Sequence, residues 1–208
     1  MTSGTQAQTQ QELAELYRRR EARQAEQEIA EKSVAECERR LTYLSSVQIR
    51  ATQELNAAIA NHDALKIELT DAWIAGTLED QADAARQFGA SEDQVSFRTA
   101  SLKRTTEDVI PRARVAVLQN RLTLASIIAD LAVIATRAHT AEVVLAAGPA
   151  AALEGSLVIK GQRTEQLSKM ENQAQVDLEQ ARLALEREVK VQNEIKTRTT
   201  GPVSYTNF

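Results

Sequence analysis

The chain has 208 residues, with 25 Lys and Arg against 29 Asp and Glu. Its formal net charge of −4 speaks against a dedicated nucleic-acid binder and confines any polyanion contact to a local patch. Seven glycines, three prolines and 3% aromatic residues against 43% hydrophobic leave an apolar surface made mostly of Ala, Leu, Val and Ile, which suits narrow helix–helix seams rather than the thick core of a compact enzyme.

Cys37 is the only cysteine, so no intrachain disulfide can form, and a reducing compartment is expected. Met1 to Gln10 shows neither a basic start nor an apolar run, and predicts no signal peptide. The most apolar region, Leu122 to Ile159, is interrupted by Asp130, Arg137, His139, Glu142, Gly148, Pro149 and Glu154; no membrane span is expected from it. The predicted location is cytoplasmic, or within a virion if the chain is viral.

Residues 1–8 read as a flexible N-terminus. From Gly4 to Gly76 there is neither glycine nor proline, and Thr9-Gln-Gln-Glu12 has the capping-box form, which predicts one long helix over 9–75. Steps of three and four from Leu13 pass through Leu16, Arg20, Arg23, Gln27, Ala30, Val34, Cys37, Leu41, Leu44, Gln48, Ala51, Leu55, Ala58, His62, Leu65 and Leu69 without a slip. The frame is strong from Ala30 onward. Val34, Leu41, Leu44, Leu55, Leu65 and Leu69 are the expected oligomer or partner seam. A helix of that length, on the order of 100 Å, needs a partner in the same chain or another. Its weakest point is Thr42 to Ser46, where helix propensity is lowest.

Gly76 and Gly89 bracket a corner with a short helix over 76–90, and Ser91-Glu-Asp-Gln94 is a second capping-box candidate. A central apolar helix is expected over 91–147, kinked or broken near Pro111, between Val109 and Arg112. Its core is expected to comprise Val117, Asn120, Leu124, Ile127, Leu131 and Ile134, with the stripe Leu124, Ile127, Leu131, Ile134 the most buried. Asn120 lies in that seam, where an amide can fix register. Gly148-Pro149 should end the helix. A third arm follows over 148–198, interrupted early by Gly155 and Gly161. Residues 199–208 read as a flexible tail whose Tyr205 and Phe208 are candidate anchors for a partner. The predicted fold is an all-α, elongated long-helix bundle or coiled coil with two corners and this flexible C-terminal tail.

The search for chemistry yields no candidate catalytic residue. His62 and His139 have no metal-ligand spacing around them, no phosphate-binding glycine loop occurs, and Ser91 reads as a cap. Neither a cofactor, a metal nor a small-molecule substrate is expected. Cys37 reads as a small core hydrophobe, Trp73 as a plug at the end of a bundle, and Leu153 to Ile159 as either core or a docking patch. Arg18, Arg19, Arg20 and Arg23, interleaved with Glu12, Glu15, Glu21, Glu26 and Glu28, read as a face laced with charge pairs; Lys103, Arg104, Arg112, Arg114 and Arg121 form a looser basic group.

The Ala/Gln/Arg/Glu-rich long-helix composition resembles that of phage scaffolding and virion components, secretion-apparatus stalk proteins and coiled-coil tethers, over no specific motif. The expectation is a non-enzymatic structural protein that oligomerises with itself or scaffolds other proteins of a larger assembly. Two alternatives stay open. One is a membrane-surface helical protein using residues 122–159, and the other a nucleic-acid-binding coiled coil using the arginine clusters.

Overall fold

The structure, a computed structural model, describes the backbone of residues 3–146 and 154–200 and the side chains of 6–146 and 161–197. The fold is all-α, and among the described residues there is no strand. Helix α1 spans Ser3–Ala75, α2 spans Leu78–Arg104, a π turn covers Thr105–Val109, α3 spans Ile110–Ala146 and α4 spans Glu154–Thr200.

Helix α1 is continuous to Ala75 as the sequence predicts, but begins at Ser3 rather than Thr9. Gly4, in the first turn, does not stop the helix, so Thr9 lies inside it and caps nothing. At Thr42 to Ser46 the hydroxyls bond back to the helix's own carbonyls: Thr42 to Glu38 at 3.0 Å, Ser45 to Leu41 at 3.0 Å and Ser46 to Tyr43 at 2.7 Å. Those bonds satisfy the polar side chains without a break.

The expected corner over 76–90 is corrected to two residues, Gly76 and Thr77. Gly76 N–H closes the last turn of α1 on the Ala72 carbonyl at 2.9 Å. Thr77 then starts α2 with a full capping box: its Oγ1 accepts from Asp80 N–H at 3.2 Å, and Asp80 Oδ2 accepts from Thr77 N–H at 2.8 Å. With the helix launched there, Gly89 alone, at roughly 1 kcal/mol, does not stop it. Ser91 therefore caps nothing and sits inside α2.

Of the kink or break expected near Pro111, the break does not occur. The chain is helical without interruption from Leu78 to Ala146, and the irregularity is the π turn just before the proline, where Ile110 N–H reaches back five residues to the Thr105 carbonyl. Proline lacks the amide that would serve the preceding turn, and the wider turn accommodates that loss within the helix. Helix α4 likewise runs unbroken through Gly155 and Gly161, and extends to Thr200. Gly148-Pro149, Tyr205 and Phe208 lie outside the described residues, as do the side chains of Leu157 to Ile159.

Two compact units divide the chain. The first takes the described parts of Met1–Cys37 and Val115–Glu194, and the second those of Glu38–Arg114 and Ile195–Phe208. In the second unit α1 and α2 form an antiparallel hairpin about Gly76, its register marked by Gln48 with Thr106, Glu54 with Arg98 and His62 with Ser91. In the first, α1 pairs antiparallel with α3, marked by Ser33 with Asn120, Arg23 with Asp130 and Tyr17 with Glu142.

The cores are thin, since no described side chain falls below 2% exposure. Along α1, Ala30 and Ala58 are buried, while Val34, Cys37, Leu41, Leu44, Leu55, Leu65 and Leu69 are half-buried. On α3, Val117, Ile127 and Ile134 are buried, but Leu124, Leu131 and Asn120 are half-buried. The stripe is thus not uniformly the most buried part of the protein: Ile110, Ala129 and Ala138 are as deep as its best members. A pairing with α1 covers a narrow strip, and the flanks of the wide apolar arc stay partly open.

Two substitutions separate the roles of the glycines. A Cβ at Gly76 would meet the Ala72 carbonyl oxygen at 2.6 Å, whereas one at Gly89 meets nothing within 4 Å. Gly89→Ala should stabilise the protein by about 0.5–1 kcal/mol and Gly76→Ala should destabilise it. Chemical denaturation checks the pair, and a destabilised Gly89→Ala would contradict this account of α2. By the same measurement Ile134→Ala should cost about 2–5 kcal/mol and Leu131→Ala distinctly less.

Candidate functional site

Polar groups in the seams hold helices to one another. Asn120, placed in the α3 seam by its heptad frame, accepts from Ser33 Oγ of α1 at 2.7 Å and donates to its own helix at the Ala116 carbonyl, 2.8 Å away. Its Nδ2 also lies 3.5 Å from Cys37 Sγ. One amide thus meets two α1 side chains four residues apart, which pins the register of the two helices within this unit. Cys37 stands in that seam as a half-buried free thiol.

In the second unit His62 of α1 meets Ser91 of α2, Nδ1 to Oγ 2.9 Å, and its ring packs on Phe88 with centroids 4.5 Å apart. The Ser91 hydroxyl gives its proton to the Phe88 carbonyl at 2.7 Å. Its oxygen therefore accepts from the His62 Nδ1–H. A nucleophilic serine needs the opposite arrangement, its proton offered to the imidazole. Ser91 is also only 4% exposed, so the pair serves as an interhelical clasp. Sequence spacing could not have disclosed it, because the partners lie 29 residues apart on separate helices.

A third polar cluster ties Tyr17 of α1 to Glu142 of α3 through the phenol hydroxyl. Buried His139 lies beside it, Nδ1 to Glu142 Oε2 3.5 Å. The Tyr17 hydrogen bond holds the Glu142 carboxyl below its ordinary range, aided by His139 and Arg163 and opposed by burial. The same bond raises the Tyr17 phenol. An open groove of about 560 Å³ nearby is lined by Thr9, Glu12, Glu15, Leu16 and Arg19 of α1 and by Thr136, Arg137, Thr140, Ala141 and Val144 of α3. Its carboxylates and guanidiniums are mixed in sign, with no nucleophile set against a base. Among the described residues no group of three or more His, Cys, Asp or Glu is placed to hold a metal ion.

The surface carries more apolar area than the heptad frame suggests. Trp73, expected to plug a bundle end, is 65% exposed, and its neighbours across the turn, Ile74 and Leu78, are 79% and 84% exposed. Trp73 follows Ala72, the residue that continues the frame, and so turns off the seam. Ile29, Tyr43, Ile49, Ile67 and Phe97 are also exposed. For those on α1 the signal was present: each is a large apolar residue off the inward frame.

The charge-laced reading of the first arginine cluster holds only at Arg23, which pairs with Glu26 and, at 2.8 Å, with Asp130. Arg18 and Arg19 have no partner among the described residues, and Arg20 acts only as a nearby charge on the Tyr17 phenol. In the second cluster Lys103 pairs with Glu107 at 4.0 Å and Arg112 with Asp108 at 2.7 Å. Arg104 and Arg114 have none.

The Tyr17–Glu142 bond gives a pH dependence of known sign. Glu142, depressed in the fold, contributes stability above about pH 4.3 that is lost as pH falls through its folded value; Tyr17, raised, contributes below about pH 10 and loses it as pH rises further. Tyr17→Phe should therefore be less stable than the parent between about pH 5 and 9, by at most about 1 kcal/mol at this solvent-screened site. The deficit should vanish in acid. Thermal melts across pH test it, and a deficit that persists at about pH 3 would show that packing, not the carboxylate bond, is what Tyr17 supplies.

Scans of the chain against protein-family models, curated proteins and solved structures each find no match.

Proposed function

We propose that this chain is a non-enzymatic structural protein that assembles with copies of itself or with other proteins of a larger complex. The observation that carries the reading is the set of large apolar side chains on the outer faces of the helices. Trp73, Ile74, Leu78, Phe97, Tyr43, Ile49 and Ile67 are each more than 60% exposed. Scattered singly they would need no explanation, but three of them fall within six residues around one turn, and such surface is what protein interfaces bury. The polar groups that could have suggested chemistry are committed to holding helices together. The virion, phage and secretion-type settings rest on compositional resemblance alone.

Sedimentation velocity over a hundredfold concentration range tests the reading. The expected result is a mass above the 22.9 kDa of one chain that grows with concentration. A monomer throughout, in the absence of any partner protein that co-purifies, would oppose it.

A second reading has one observation of its own. The helical stretch Leu78–Ala146 contains a segment long and apolar enough, by length and composition, to cross a membrane. This corrects the expectation that no stretch approaches a span: between Leu122 and Ala141 only Asp130 and Arg137 carry a full charge. Against a bilayer role, Asp130 is ion-paired with Arg23 of the charge-rich α1, and His139 is buried beside Glu142. Co-sedimentation with liposomes separates the two readings.

A further inference from the structure

The hairpin of the second unit is electrically polarised along its length. Between Lys66 and Arg86, around the Gly76 turn, there are five carboxylates, Glu68, Asp71, Glu79, Asp80 and Asp83, and no base. At the other end, residues 38–55 and 98–114 carry eight basic residues against four acidic ones. The antiparallel register places these two basic segments side by side. Gln48 bonds to Thr106 and Glu54 to Arg98, so Arg50 lies level with Lys103 and Arg104, and Arg39 and Arg40 lie level with Arg114.

Much of this charge has nothing to neutralise it within the described residues. Asp80 is used by the cap and Asp83 by Arg86, but Glu68, Asp71 and Glu79 have no partner, nor do Arg40, Arg50, Arg104 and Arg114 at the opposite end. Each end also displays bare apolar surface. The acidic end has Trp73, Ile74 and Leu78, and the basic end has Tyr43 and Ile49, 66% and 62% exposed. Tyr43 and Arg50, seven residues apart, share one face of α1.

We infer that the acidic, Trp73-bearing tip of this hairpin docks on the basic, Tyr43-bearing end of the same hairpin in a second copy of the chain. The contact is between unlike surfaces, so each copy keeps one free surface of each kind and the assembly is open-ended unless its geometry closes a ring. Pairing two tips would bring ten carboxylates together, and pairing two basic ends would oppose their arginines. Like-charge contacts of that kind are disfavoured, so only the mixed contact is electrostatically complementary. A single hairpin cannot satisfy itself, because Trp73 and Ile49 stand about 36 Å apart along one continuous helix.

The inference rests on the self-assembly reading above and can fail without it. Four variants of the full chain are compared by sedimentation velocity: Glu68→Lys/Asp71→Lys at the tip, Arg40→Glu/Arg50→Glu at the basic end, Trp73→Ala and Tyr43→Ala. These residues are exposed or unpaired, and circular dichroism with a melting curve confirms that each variant folds. The expected result is association at least about tenfold weaker in every variant, and weakened in the parent by raising salt from about 50 mM to about 500 mM. Mixing the two charge-reversed variants should restore association, since the reversed tip then meets the reversed basic end.

A parent that associates while tip and basic-end variants associate equally well overturns this contact and leaves the assembly reading standing. A parent that stays monomeric at every salt and concentration removes both. Loss in the tip variants alone, with the basic-end variants unaffected and no rescue on mixing, also overturns the contact as drawn. So does Trp73-dependent binding to phosphatidylcholine vesicles with solution association unchanged in Trp73→Ala, which would assign the tip to a lipid surface.

Discussion

Everything in this molecule depends on how a helix of 73 residues is kept covered on one side. An isolated helix gains little from its own hydrogen bonds in water, and its persistence depends on burying a stripe against another helix. The heptad frame of α1 supplies that stripe, but with alanines at its deepest points, Ala30 and Ala58. Small residues let the backbones approach closely while offering little area each. The seam is therefore long and shallow, its stability spread over many modest contacts rather than concentrated in a few large ones.

A shallow seam of alanines and leucines has a weakness: one heptad looks much like the next, so sliding by seven residues costs little. The polar contacts in the seams supply what the apolar ones lack. Asn120 with Ser33 and Cys37, His62 with Ser91, and Arg23 with Asp130 each join two particular residues, and none of these pairings survives a shift of one heptad. This is why His62 and the buried Ser91 sit where chemistry might be sought and yet point to helix registration instead.

How much of this was legible in the sequence follows from what kind of signal each feature sends. The long helix and its inward frame were readable because periodicity sustained from Leu13 to Leu69 is a strong, local, additive signal. The turn was misplaced because Ser91-Glu-Asp-Gln94 has the familiar capping-box form, whereas the true box, Thr77 with Asp80, uses an aspartate where glutamate or glutamine is the usual partner. Pro111 was read as a kink or a break, and the break is absent because a π turn, which leaves no mark in composition, absorbs the lost amide. The clasps between helices were invisible, since register between distant segments is settled only when they pair. Trp73 was misjudged for a different reason: large aromatic residues are usually buried, and that habit outweighed the one-residue offset from the frame.

That offset separates two kinds of apolar residue in this chain. Those on the frame are mostly small or medium, half-buried, and spent on holding α1 to α2 and α3. Those off the frame include Trp73 and Tyr43, two of the seven aromatic residues in the chain, and they stand exposed on a helix whose own pairing does not need them. Because the two sets lie on different faces, the outward one could be altered without disturbing the inward one, as a surface that meets other molecules requires. Exposed aromatic side chains raise the hazard of indiscriminate association. The unpaired carboxylates around the Gly76 turn limit which surfaces can approach Trp73, Ile74 and Leu78, because an apolar contact there must also bring positive charge. In the proposed contact, attraction from the apolar residues and selection by the acidic rim are thus carried by different atoms on the same turn.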